Sequence, residues 1–78
     1  MNWVKVEYYY QHGFDFIKKP DGVEHDDVLL LKTKSFLSNK YCIGHWHMLT
    51  QGFEEIESIK QIENVTHFIN LTKEGVVV

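Results

Sequence analysis

Arginine and alanine are absent from this 78-residue chain, and cysteine and proline occur once each. Without arginine there is no planar guanidinium fork to read guanine edges or clamp phosphates bidentately. All eight basic residues are lysines, and Lys18–Lys19 is the only adjacent pair. With a net charge of −3 and a pI near 5.9, this scattered cation set argues against nucleic acid as a partner. The acidic excess is also too small for a phosphate-like array that would imitate DNA. A single cysteine, Cys42, excludes an intramolecular disulfide framework and a Cys-rich zinc module. No apolar run approaches the roughly 18 residues of a membrane span, and residues 1–20 lack the basic start and apolar stretch of a signal peptide. Repeats, low-complexity tracts and linkers are missing too. The expectation is one compact domain, residues 1–78, in a reducing cytoplasm.

What the chain does have is aromatic bulk: two Trp, four Tyr and five Phe, enough large side chains to build a core without staples. Residues 2–10 alternate, with Val4, Val6, Tyr8 and Tyr10 on one face and Trp3, Lys5, Glu7 and Tyr9 on the other, which predicts a strand. Gln11-His12-Gly13 punctuates it, and Phe14–Ile17 reads as a short strand or packed loop. Lys19-Pro20-Asp21-Gly22 is a turn, Pro presetting φ and Gly accepting positive φ. Residues 28–33, apolar on both faces, predict a central strand. Tyr41–Leu49 predicts the next, and Val65–Leu71 the last. Between them Phe53, Ile56, Ile59 and Ile62 recur every three residues. That spacing predicts a helix over about residues 53–63, with Glu54 and Glu55 in its first turn, Lys60 near its end and Asn64 as its stop. The predicted fold is therefore α+β: a small antiparallel sheet of three to five strands with one helix packed on it.

His45-Trp46-His47 is the most suggestive chemical feature. On a strand the two imidazoles share a face and can reach one metal ion. His67, on another strand, is a candidate third ligand for zinc or another transition metal, and His25, Asp26 and Asp27 are candidates for a fourth. The competing reading is two partly exposed strand histidines. Cys42 falls on the opposite face, and a lone cysteine in an apolar strand is usually inert packing. The acidic pairs Asp26–Asp27 and Glu54–Glu55 do not require acid–base work. With no Gly-rich phosphate cradle, nucleophile elbow or two-His helix motif, the expectation is that the protein is not an enzyme. Trp3, Tyr8, Tyr9, Tyr10 and Trp46 are instead candidate partner-binding residues, being of the types that anchor interfaces. The tail Gly75-Val76-Val77-Val78 reads as a last edge strand, a contact for a second copy, or a disordered end.

Several anchors follow one order: Trp3-Val4-Lys5-Val6, Pro20-Asp21-Gly22 before Val28-Leu29-Leu30, Ile43-Gly44, and Val65-Thr66-His67-Phe68. The chain thereby resembles a family of small phage and prophage proteins of unknown function that usually ends in Val-Thr-His-Trp-Met-Pro-Leu-Pro. Here Phe68 stands for the usual Trp, Asn70 and Thr72 replace the two prolines, and residues 7–18 are longer than the family's opening loop. The resemblance implies a β-rich accessory protein from a mobile element, working in the bacterial host cytoplasm. The expected function is non-enzymatic: binding and modulating a bacterial host protein, such as a defence or replication factor. The alternatives are a metal- or small-ligand-binding module built on His45, His47 and His67, and a homo-oligomeric structural protein joined through Val76–Val78.

Overall fold

A computed structural model describes residues 2–35 and 38–76. Among these residues eight strands form in chain order: β1 (Val4–Lys5), β2 (Tyr8–Gln11), β3 (Phe14–Ile17), β4 (Leu29–Lys34), β5 (Asn39–His47), β6 (Gly52–Glu55), β7 (Gln61–Ile62) and β8 (Val65–Asn70). Six make one antiparallel sheet in the order β1-β8-β4-β5-β6-β7, and β2 and β3 make a separate two-stranded ribbon. The described residues contain no helix, so the fold is all-β and the expected α+β class is corrected. No helix long and apolar enough to cross a membrane occurs among them.

The helix predicted at 53–63 is a hairpin. Phe53 pairs with Ile62 and Glu54 with Gln61 across β6 and β7. The turn between them closes through Glu55 N–H to the Lys60 carbonyl (2.9 Å) and Ile59 N–H to the Glu55 carbonyl (3.1 Å). Ile59 has φ 58°, a left-handed value that a continuing helix does not contain. The period of three has a different origin from a helical stripe. Phe53 and Ile62 are cross-strand partners on the core side, whereas Ile56 and Ile59 lie in the turn and are exposed.

The first predicted strand also breaks. The chain pairs with β8 through Val4 and Lys5, continues through Val6 N–H to the Thr66 carbonyl (2.9 Å), and then leaves to pair with β3. Lys18 N–H to the Glu7 carbonyl (2.9 Å) extends the ribbon. Val6 thus sits at the crossing between the two sheets and is 4% exposed.

Directly opposed residues of an antiparallel pair share a face, which sorts the large sheet into two sides. One side, the inner face, carries Leu29, Leu31, Cys42, Trp46, Phe53, Ile62 and Phe68. These pack with Val6, Ile17, Val23 and Val65 into one hydrophobic cluster, so the ribbon and the loop after it cover this side. Phe53 is fully buried and meets Trp46 edge-on, with centroids 5.2 Å apart. Truncating Phe53 to Ala would cost about 3–5 kcal/mol. A polar clasp closes one end of the sheet. Asp27 Oδ2 accepts from Glu24 N–H (3.0 Å) and Asn70 Nδ2 (2.8 Å), while Asn70 Oδ1 accepts from Lys73 N–H (3.1 Å).

Candidate functional site

Among the described residues, no second layer of strands covers the other side of the large sheet. Its register places Lys5, His67, Lys32 and Tyr41 in one row across β1, β8, β4 and β5. Lys34 and Asn39 extend this end of the face. Trp3, just before β1, packs on Tyr41 with ring centroids 5.8 Å apart and planes tilted by 36°. Two strands, β8 and β4, separate β1 from β5, so the two side chains must lie flat over the positions between them. Ile69, on the same face, is only 5% exposed. Lys32 Nζ stands 5.8 Å from the Trp3 ring centroid, within cation–π range. Trp3 and Tyr41 nonetheless remain 38% and 59% exposed.

The far end of the same face holds His45 and His47, as the alternation predicts, with Glu54 opposite His45 and Gly52 opposite His47. Glu54 is buried, and its Oε2 has no hydrogen-bond partner among the described residues. His45 Nε2 lies 3.4 Å from Oε2, and His47 Nδ1 lies 3.9 Å from Oε1. The Thr50 N–H donates to His47 Nδ1 (3.2 Å), which in the neutral ring places the proton on Nε2. His25 borders a shallow recess beside His45 and His47, and its Nε2 is 2.7 Å from Asp26 Oδ1.

His67 does not join these histidines. It lies two strands from β5 and level with Tyr41, four residues from His45. At about 4.8 Å per strand and 3.3 Å per residue, the separation is roughly 16 Å. Its Nδ1 sits 3.0 Å from Thr66 Oγ1. Among the described residues no group of three or more His, Cys, Asp or Glu is arranged to hold a metal ion. Asp27, a candidate fourth ligand, belongs to the clasp. Its carboxyl is held below the usual range first by the Glu24 N–H, then by Asn70.

The candidate partner-binding residues also separate. Trp46 is 2% exposed and belongs to the core, so it presents no surface to a partner. Tyr8 is half exposed, but its hydroxyl donates to the Val65 carbonyl, and burial pushes its phenol pKa up. Tyr9 stacks on Phe16 across the ribbon (5.5 Å, 22°). Tyr10 is 73% exposed and stands opposite Asp15, whereas Phe14, 67% exposed, is opposite Gln11 on the other face of the ribbon. Cys42 lies on the inner face, its thiol pKa raised by burial and secondarily by Glu55. Val76 is described and partly exposed, whereas Val77 and Val78 lie outside the described residues.

Sequence reasoning missed Tyr41, Lys32 and Glu54. Tyr41 and Lys32 carried no local signal, because their meeting with Trp3 depends on strand order. Glu54 did carry one: its alternation with Phe53 fits a strand in which Phe53 faces the core. No family model, curated protein or solved structure matches the chain.

Proposed function

We propose that this is a non-enzymatic accessory protein of phage or prophage type that binds a bacterial host protein, in the host cytoplasm, through the open face of its large sheet. The observation that carries this reading is the Trp3–Tyr41 pair. Two exposed aromatic rings, one just before β1 and one on β5, are held together over the open face. Exposed, pre-positioned Trp and Tyr supply contact area at little entropic cost, the property of interface hot spots. The phage or prophage character rests on the resemblance described above. The test compares the immobilised full-length chain with Tyr41→Ala in a titration of host lysate. A saturable host protein held by the wild type and released at least tenfold more readily by the variant supports the reading. Equal retention by both, or no saturable protein, defeats it.

A second reading, a metal- or small-ligand-binding module, is favoured by the unpartnered Glu54 Oε2 between His45 and His47. As they stand, these side chains do not form a three-ligand set. Metal binding would therefore require at least His47 to turn away from the Thr50 N–H. Calorimetric titration with zinc and with nickel tests it, absence of stoichiometric heat removing the reading.

A further inference from the structure

We infer that the partner segment received by the open face is acidic: a short extended stretch of protein carrying two or more carboxylates, laid across β1, β8 and β4. The inference rests on the proposed protein-binding role and names the chemistry of its partner. The chain as a whole is acidic, at −3, yet charge is segregated on this face. Lys5, Lys32 and Lys34 occupy one end, with His67 between the first two. Among the described residues, the only carboxylate at a strand position of this face is Glu54, roughly 16 Å from Lys32 by strand and residue spacing. Lys5 and Lys32 project from strands two apart, about 10 Å at the backbone. Carboxylates on alternate residues of an extended segment stand about 7 Å apart, and flexible lysine stems close the difference. The face thus offers paired cations beside two aromatic anchors, a charge pattern complementary to an acidic segment.

Single-stranded nucleic acid is the competing occupant, and the geometry disfavours it. Bases stack on free aromatic faces, and here Lys32 Nζ stands 5.8 Å from the Trp3 ring centroid with Tyr41 packed on the same ring, which leaves Tyr41 as the more open of the two. Three lysines without arginine would neutralise few phosphates, and affinity for a polyanion follows that number. An acidic side chain, by contrast, can pair with Lys32 where it stands.

The experiment is an amide and indole chemical-shift titration of the full chain with octaglutamate, octaglutamine and octathymidylate, on wild type and on the Lys5→Gln/Lys32→Gln double variant. Saturable shifts at Trp3, Lys5, Lys32 and Tyr41 are expected with octaglutamate alone. They should weaken at least tenfold in the double variant and again in high salt. No shifts at these residues, or shifts insensitive to the double variant, overturn the inference, as does tighter binding of octathymidylate at the same place. The lysate titration separates the two levels of the argument. If Tyr41→Ala releases the host protein and the double variant retains it, the face binds protein and the acidic partner is refuted.

Discussion

Gly44 sits at the middle of β5, opposite Leu29 on one side and Glu55 on the other. A Cβ built there would lie 2.5 Å from the Glu54 carbonyl oxygen, 2.8 Å from Leu31 Cδ1 and 3.1 Å from Ile62 Cδ1. Gly44→Ala therefore tests the packing directly. Alanine relieves the entropic cost of glycine in a strand, a gain of about 0.5–1 kcal/mol. Against it stands overpacking, which costs about 1–3 kcal/mol. The upper end applies, because the nearest obstacle is backbone on β6, paired on both sides, and the next is Leu31, 0% exposed. The net loss is about 2 kcal/mol. Unfolding entropy of about 2.1 cal/mol/K per residue then lowers the melting temperature by about 12 °C for a domain this size. Circular dichroism melts give the shift, and urea titration should show a lower midpoint at unchanged slope. A melting temperature within about 3 °C of wild type, or above it, would refute the close approach of β5 and β6.

Three other outcomes follow from the same structure. Cys42, whose thiol pKa is raised by burial and by Glu55, should react with a thiol reagent at pH 7.5 much more slowly in the native chain than in urea; equal rates would place it at the surface. Asp27→Ala should cost about 1–3 kcal/mol by leaving the Glu24 N–H and Asn70 Nδ2 without their acceptor. Because the folded pKa of Asp27 is depressed, its contribution is full above the unfolded value of about 3.9 and fades as pH falls through the folded one. The gap in urea midpoint between wild type and variant should accordingly narrow in acid, and a gap that widens contradicts the clasp. With Trp3 exposed and Trp46 buried, iodide should quench only one of the two tryptophans, and Trp3→Phe should leave an emission that iodide barely touches.

Much of the strand layout was legible: β4, β5 and β8 overlap the segments 28–33, 41–49 and 65–71 read as strands, and Phe14–Ile17, read as a short strand or packed loop, forms β3. Alternation also held the information that Trp46 is internal. Cys42, Gly44 and Trp46 share a parity opposite to His45 and His47, so a face bearing the histidines could not bear the tryptophan. The hairpin at β6–β7 was harder. Its strands have only four and two residues, too few for alternation to outweigh three evenly spaced isoleucines. Glu54 was consequently assigned to a helix dipole, and its position between two histidines stayed hidden. The Trp3–Tyr41–Lys32 group had no sequence signature at all. Residues 3, 32 and 41 meet only because β8, the last strand, inserts between β1 and β4.

That insertion also bears on how the protein can bind. The borders of the large sheet are β1 and β7, of two residues each. So short an edge offers little backbone for strand addition, and short edges are a common device against sheet-to-sheet aggregation. Residues 39–43 of β5 also have no strand partner on the β6 side among the described residues, so strand addition has that one stretch, and other contact with the large sheet comes from side chains on a face. The inner face is occupied by Val6, Ile17 and Val23, which leaves the open one. Placing β8 inside the sheet brings Lys5, His67 and Lys32 into register there, so the topology that shortens the edges also assembles the cationic row. A proline at Ile62, on the β7 border, should disturb β6–β7 pairing locally while Lys5, Lys32 and Tyr41 keep their shifts with octaglutamate. Loss of that response in a folded Ile62→Pro chain would show that binding runs through the edge, and the case for the face would fall with it.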